Sequence, residues 1–281
     1  MDKGSQSKHL LRLERFSPTS TGLTLILVLL AVISGVSLGL VLESHHYLSS
    51  PYRYVSNCLT FTYVSAWCLR YYPQIILNYT RKTTLGISID TLLLSLVSFI
   101  FYLMFNIYFY VHSNENWYAA NILRLHRFID FGDIAFSLHA VLALITIVLQ
   151  CFWYDGVNMQ LPNSFTLATL SMSILLSLLY LYAIFVLSHN QPPFLIQDYF
   201  FSLSVVAIFL HVICLIPQCA VNYRSSTFIG IDIASLLLDI TGALCCLLEV
   251  VLDSVDVYGL KKTYIGLQGE CRMVNTLIQY Y

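Results

Sequence analysis

Seven apolar runs, each long enough to cross a bilayer, constrain this chain more than any other feature of its sequence. A helix needs roughly 20 mostly apolar residues to span about 30 Å of hydrocarbon. The runs lie near residues 21–42, 54–78, 88–111, 132–153, 164–187, 199–221 and 229–252. Only 10% of the residues are charged, whereas soluble domains carry about 25%. The sequence therefore predicts an all-α, polytopic membrane protein.

Charge and cysteine content exclude several classes of function. The net charge of −1 gives no support to nucleic-acid binding or to a polybasic membrane-surface protein. Of eight cysteines, all but Cys271 fall inside apolar runs without Cys-x-x-Cys spacing, so we interpret them as packing residues rather than as disulfides or zinc ligands. The sequence contains no nucleophile–base set and no phosphate-binding glycine loop, so we expect neither an enzyme nor a bound metal or cofactor.

The N-terminal segment sets the predicted orientation. Residues 1–20 carry four basic side chains and one, Arg53, follows the first run, which places the N-terminus in the cytosol. By the same count the loops after Arg81 and Arg224 are cytosolic. Residues 21–42 are consistent with a signal-anchor helix or with a cleavable signal peptide, and both interpretations stay open.

An internal repeat relates the two halves of the chain. PQIILNYTRKTTLGISIDTLLL from Pro73 aligns without gaps, at an offset of 144 residues, with PQCAVNYRSSTFIGIDIASLLL from Pro217. Proline, glutamine, asparagine and glycine match in register, which chance similarity between apolar runs does not produce. From the first Pro-Gln run to the second the count advances by four runs, with three lying between them, so both helices are predicted to point the same way, as in parallel repeats with a solute site near mid-membrane.

The two prolines are candidate gating hinges. Proline removes one intrahelical hydrogen bond and clashes with the carbonyl one turn earlier, so each helix is expected to bend near Pro73 or Pro217. A single Pro-Gln pair is more often a packing bend. Two copies in register, each followed four residues later by asparagine, favour a paired gate.

These motifs resemble those of the PQ-loop transporters, and within them the cystinosin family of lysosomal cystine/proton symporters. The matching stretches are YVSAWCLRYYPQIILNYTRKTTLGISID, DIAFSLHAVLALITIVLQC and IPQCAVNYRSSTFIGIDIASLLLDITG. The resemblance implies three-helix bundles at 54–153 and 199–252 joined by a linker helix at 164–187, followed by a polar tail at 253–281. Family members continue with a further core helix, so the second bundle is expected to be incomplete, as in a truncated or divergent form or one that needs a second subunit, including another copy of this chain.

The resemblance also implies functional residues, a substrate and a location. It assigns proton coupling to Asp239 and Asp133, and it implies alternating-access export of cystine or a related amino acid with a proton from a lysosomal or vacuolar membrane. Positions lining the solute cavity would be Trp67, Gln74, Asn78, Gln218 and Asn222. Two alternatives remain, a sugar uniporter and a non-transporting membrane receptor or scaffold.

Residue chemistry alone supports a special role for Asp239. An ionised carboxylate inside an apolar helix costs several kcal/mol, and the equivalent position of the first repeat is Ser95, so the repeat itself does not require an acid there. The alternative is an aspartate held permanently by a basic partner. Arg70, an intramembrane cation whose counterpart is Cys214, is the candidate for the positive charge that the family usually carries in the helix before the second Pro-Gln pair. We expect Glu249 to be solvated and His139 to be a satisfied core histidine.

Overall fold

The protein is described here by a computed structural model, which covers residues 21–42, 49–50, 52–112, 129, 131–156, 161–187, 194–225 and 232–258. Within these residues every regular element is a helix, as the sequence predicts. The helices are α1 (Thr21–Val41), α2 (Tyr52–Leu69), α3 (Tyr71–Arg81), α4 (Ile89–Val111), α5 (Phe131–Asp155), α6 (Ser164–Leu187), α7 (Phe194–Ile213), α8 (Leu215–Ser225) and α9 (Ile233–Tyr258). The basic segment 1–20 and the tail after Tyr258 lie outside the described residues.

Six of the described helical segments are long and apolar enough to cross a membrane. They are Thr24–Val41, Ile89–Val111, Gly132–Asp155, Ser164–Val186, Ile196–Arg224 and Ile233–Leu252. Their outward side chains are apolar, and Phe185 on α6 is 84% exposed. Surfaces of this kind are stable only where hydrocarbon is the solvent. The predicted run 54–78 is not among the six. It divides at Arg70 into α3 and the longer α2, and α2 carries more polar side chains than the six segments do.

Both Pro-Gln helices break three residues before the proline. α2 ends at Leu69 and α3 begins at Tyr71, while α7 ends at Ile213 and α8 begins at Leu215. Pro73 and Pro217 are thus the third residues of α3 and α8. A proline cannot supply the N–H that would bond to the carbonyl four residues earlier, and its ring pushes that carbonyl away. The predicted bends are therefore present, at Arg70 and at Cys214.

The period of 144 residues holds across the helix boundaries. Adding it to the bounds of α3 gives the bounds of α8, and adding it to the start of α4 gives the start of α9. The same shift places α1 inside α6. α1 packs against α2 and α9, and α6 packs against the equivalent helices α7 and α4. The N-terminal helix is therefore the structural counterpart of the linker helix, so the repeat includes four helical segments and not only the Pro-Gln region.

The chain forms two compact units by contact. One contains α1, α2 and α9, and its buried centre includes Ala31, Ala66 and Leu238. Small residues bring α1 close to α2. A Cβ atom on Gly35 would lie 2.3 Å from the Cα of Thr62, and one on Gly39 would lie 2.6 Å from the Cα of Cys58. This is the close approach that small residues four apart permit between membrane helices.

The other unit contains helices α3 to α8. Its first core joins α3, α4 and α5 around Tyr71, Phe99 and Leu144. Its second core joins α4, α6 and α7 around Leu94, Leu203 and Leu210. Each unit thus contains helices from both sequence repeats, whereas the assignment of bundles to residues 54–153 and 199–252 stays a prediction.

Candidate functional site

The glutamines of the two Pro-Gln motifs bind the backbone of each other's repeat. Gln218 Oε1 accepts a hydrogen bond from the backbone N–H of Ser88 (2.9 Å), and Gln74 Oε1 accepts one from the backbone N–H of Asp232 (3.1 Å). Ser88 and Asp232 are themselves 144 residues apart and precede the equivalent helices α4 and α9. Gln74 of the first repeat therefore bonds to the residue that precedes α9, and Gln218 of the second repeat bonds to the residue that precedes α4. These N–H groups have no partner within their own helices, so the side chains satisfy them.

The motif asparagines are hydrogen-bonded to the same glutamines. Gln74 Nε2 donates to Asn78 Oδ1 (3.0 Å), and Gln218 Nε2 donates to Asn222 Oδ1 (3.0 Å). Asn78 is 2% exposed and its Nδ2 donates to Gln150 Oε1 (2.9 Å). Asn222 is half-buried. The predicted solute-binding role of these four residues stays a prediction, and the structure gives them intramolecular partners that a solute would have to replace.

Asp239 forms an ion pair with Arg70 within the α1–α2–α9 unit. The side chain of Arg70 is 18% exposed and that of Asp239 is 41% exposed. Asp239 is the seventh residue of α9, and Arg70 is the last residue of the first of the two chain segments that form this unit, at the break before α3. The structure thus pairs Asp239 with a basic residue, which was the alternative considered for this aspartate, while the expectation that Arg70 supplies the charge usually carried by the family in the second repeat stays a prediction.

Trp67 lies one helical turn from Arg70 and covers Gly242 of α9. A Cβ atom on Gly242 would stand 2.4 Å from the indole Nε1. Trp67 also packs against Tyr63, with ring centroids 5.1 Å apart. Asp239 and Trp67, both predicted from the sequence, therefore share the contact between α2 and α9.

That contact has a regular antiparallel register. Thr60 pairs with Glu249, Trp67 with Gly242, and Arg70 with Asp239. The steps between successive pairs are seven and three residues along both helices, which is the spacing of a helical seam. We call this set of paired positions the α2–α9 seam.

Asp133 is the third residue of α5, in the other unit. Its backbone carbonyl accepts hydrogen bonds from the Ser137 hydroxyl (2.7 Å) and from Asn106 Nδ2 (3.3 Å). Its side chain is half-buried. The carboxylate lies in the first turn of α5, where a negative charge interacts favourably with the helix dipole.

Two polar groups in the membrane helices differ from the sequence expectations. Glu249, expected to be solvated, is 8% exposed and bonds to Thr60, so that expectation is wrong. His139 was expected to have hydrogen-bond partners at its ring nitrogens, and a partner is present at one nitrogen only. Its Nε2 lies 3.0 Å from the Tyr72 hydroxyl, whereas the buried Nδ1 has no hydrogen-bond partner. Glu249 follows Asp239 by steps of three and seven residues, the spacing of one helix face. This spacing could have predicted from the sequence that Glu249 is buried.

Comparison with known proteins identifies the family and several relatives of this chain. The PQ loop repeat family matches residues 55–113 and 199–258. A cystinosin homolog of Dictyostelium discoideum is 32% identical over 208 residues, which cover 72% of this chain and 69% of that protein. The chain belongs to the cystinosin family.

Other cystinosin relatives extend the match to animals. Cystinosin of Bos taurus is 29% identical over 71% of this chain and 53% of its own length. A cystinosin homolog of Caenorhabditis briggsae is 30% identical over 70% of this chain and 47% of its own length. The chain thus spans about half the length of these animal relatives. Family membership and the six apolar helices identify a multi-pass membrane protein.

Proposed function

We propose that this chain is a proton-coupled carrier that exports cystine or a related amino acid from a lysosome or vacuole by alternating access. Asp239 is the proton-coupling carboxylate, and Asp133 is a second acidic residue that contributes to coupling. Membership of the cystinosin family supports the class of solute. The ion pair between Arg70 and Asp239 is the observation that carries the proposed mechanism.

The ion pair provides a physical route from protonation to movement. A proton on Asp239 removes the negative charge and with it the attraction between this carboxyl and Arg70. Losing that attraction makes the charge of Arg70 less stable in a low-dielectric environment, so Arg70 then gains from moving toward water or toward an anionic group of the solute. Arg70 lies at the break before α3, where a change in its position acts directly on the bent Pro-Gln helix.

The hydrogen bonds of the motif glutamines support a gate formed by the two Pro-Gln helices, because they join the two repeats. Gln74 accepts the backbone N–H of Asp232, and Gln218 accepts that of Ser88. In the proposed cycle Pro73 and Pro217 permit the bending, while Gln74, Asn78, Gln218 and Asn222 exchange their internal partners for the polar groups of the solute. Trp67 contributes an aromatic wall.

Transport by the reconstituted chain tests the proposal. Liposomes loaded with labelled cystine at acidic internal pH should release it faster than liposomes at symmetric neutral pH, and Asp239→Asn should abolish this stimulation. Asp90→Asn is the matched control, because it removes a carboxylate charge but keeps the oxygen that accepts the backbone N–H of Asn163 (2.7 Å). Acid-independent release by the wild type, or full stimulation in Asp239→Asn, would contradict the mechanism.

The same ion pair favours one other candidate, a PQ-loop receptor or scaffold that does not transport. A carboxylate already neutralised by an arginine needs no proton to be stable in the membrane. In that case Asp239→Asn should weaken binding of the ligand, whereas the wild type should show no flux of cystine at any pH. Equilibrium binding of labelled cystine, measured beside flux, separates the two functions.

A further inference from the structure

Glu249 is a second carboxylic group in the membrane part of α9. It lies within the apolar segment Ile233–Leu252 and is 8% exposed. Thr60 of α2 forms a hydrogen bond with its Oε1 at 2.5 Å. Glutamate is almost never this deeply buried unless its charge is compensated or neutralised. The protonation state of Glu249 therefore depends on which form its buried surroundings can stabilise.

The hydrogen bonds of Thr60 accommodate a protonated Glu249. The Thr60 hydroxyl carries one hydrogen and lies within reach of two acceptors, Glu249 Oε1 at 2.5 Å and the backbone carbonyl of Ser56 at 3.0 Å. A neutral glutamic acid donates its own O–H to Thr60 Oγ1, which frees the Thr60 hydrogen for Ser56. An ionised glutamate takes the Thr60 hydrogen instead. The hydroxyl can thus bond to Glu249 in both protonation states by rotating.

Among the described residues, the helices that pack on α9 are α1 and α2. α1 contains no ionisable side chain. At the spacing of the α2–α9 seam, the ionisable residues along α2 and at the break that follows it are Arg53, Tyr63 and Arg70. The nearest ionisable residues along α9 are Cys245, Cys246 and Asp253. Arg70 is paired with Asp239, ten residues from Glu249 and therefore about 15 Å away along the helix.

The repeat does not require an acid at this position. The residue equivalent to Glu249 is Phe105, which is buried in the other unit, and the residue equivalent to Thr60 is Ser204. The equivalent of Asp239 is Ser95. The two acids therefore occur together on α9, and α4, the counterpart of α9, has neither. The apolar Phe105 fills the equivalent position, so the fold does not need a carboxyl group there. The carboxyl group of Glu249 therefore indicates a chemical role.

We propose that Glu249 is a second proton-binding site, formed with Thr60 in the α2–α9 seam. In the predicted orientation Glu249 lies in the lumenal half of α9 and Asp239 in the cytosolic half. Glu249 exchanges its proton with the lumenal side. The role of this proton in transport rests on the proposed function, but its binding does not.

Infrared spectroscopy tests proton binding without any solute. The C=O stretch of a carboxylic acid is absent from carboxylates, so difference spectra of the purified full-length protein between about pH 4 and pH 8 report carboxyl protonation. The wild type should show a band that Glu249→Gln removes and Asp239→Asn retains. Thr60→Val should shift this band because it removes the hydroxyl partner, whereas Thr146→Val, which alters an exposed hydroxyl bonded to Leu142, should not. Identical difference spectra for the wild type and Glu249→Gln would overturn the proposal.

Cystine flux then shows whether the proton is transported. In a plot of the logarithm of flux against lumenal pH, Glu249→Gln should lower the slope by about one proton while flux persists. An unchanged slope together with a lost infrared band would reject coupling of this proton to transport. If the wild type carries no cystine, the proposed function fails while the infrared result still decides the site. Glutamine preserves the shape and donates to Thr60, and size-exclusion chromatography of each variant confirms that it folds.

Discussion

The indole of Trp67 lies directly against Gly242, one helical turn from the pair formed by Arg70 and Asp239. The contact leaves no space for a methyl group, because an added Cβ would lie 2.4 Å from Nε1 and 2.6 Å from Cδ1. A rigid indole cannot yield by rotating a terminal bond. The side chain or the whole of α9 has to move instead.

We therefore expect Gly242→Ala to separate α2 from α9. The overpacking should cost about 1–3 kcal/mol, which exceeds the gain of about 1 kcal/mol that alanine normally brings to a helix. Fluorescence of Trp67 in a background lacking Trp117 and Trp153 should shift, and proton-stimulated flux should fall. Gly132→Ala is the control, since a Cβ there meets nothing within 4 Å. Equal fluorescence shifts and equal flux in the two variants would show that α2 and α9 can move apart in the seam without consequence.

Arg70 and Asp239 should be energetically coupled. Removing either charge takes away the attraction that stabilises the other, so Arg70→Gln and Asp239→Asn should each destabilise the protein more than the double variant does. The coupling energy from a double-mutant cycle should be about 1–3 kcal/mol, at the upper end for pairs in contact. Unfolding in SDS provides the free energies. Additive effects would mean that the pair contributes no net stability.

A second prediction for Arg70 concerns transport, which measurements of stability do not test. If it is the counter-charge of the coupling carboxylate, Arg70→Gln should change the dependence of cystine flux on lumenal pH. Arg53→Gln removes a cation from α2, outside this pair, and serves as the comparison. An Arg70→Gln profile that superimposes on the wild-type profile would reject the assigned role.

The reciprocal glutamines should contribute equally to stability. Gln74→Leu removes the acceptor for the N–H of Asp232, and Gln218→Leu removes that for the N–H of Ser88. Each change leaves a backbone donor unsatisfied and should cost about 1–3 kcal/mol. Unfolding in SDS measures the loss of stability in both variants. Gln150→Leu is the control, because it removes a neighbouring amide side chain but leaves both reciprocal hydrogen bonds in place. A loss confined to one glutamine would contradict the equivalence of the two motifs.

Residues 21–42 should remain in the mature protein. α1 buries Gly35 and Gly39 against the backbone of α2, so it is an integral helix of its unit rather than a detachable leader. N- and C-terminal tags should therefore be found on one polypeptide of full length. Gly35→Val should disrupt this packing and reduce the amount of folded protein, whereas Ser37→Val, on the exposed face, should not. Recovery of only the C-terminal tag on a shortened chain would show cleavage.

Sequence reasoning reached the helical fold and the bends because both depend on local chemistry. Apolar run length predicts spans, and proline at positions 73 and 217 predicts the breaks that the structure has at Arg70 and Cys214. The offset of 144 residues also predicted which helices are equivalent. It did not predict that α1 belongs with α6, because those helices share position in the fold but little sequence.

Partners of polar side chains were harder to predict, since they depend on which helices meet. Arg70 and Asp239 are 169 residues apart, and only the antiparallel register of α2 and α9 brings them together. The same register buries Glu249, although its place near the end of an apolar run suggested contact with water. Residues that satisfy backbone donors, such as Gln74 and Gln218, carry no sequence signal that identifies the donor.

The bond between Ser88 and Gln218 has a consequence for biosynthesis. The donor is made 130 residues before its acceptor, so the ribosome has placed most of the chain in the bilayer before the loop ahead of α4 can be completed. Until then this loop must depend on water, lipid headgroups or an assisting factor for its missing partner. Assembly of the first half is therefore finished only by the arrival of the second.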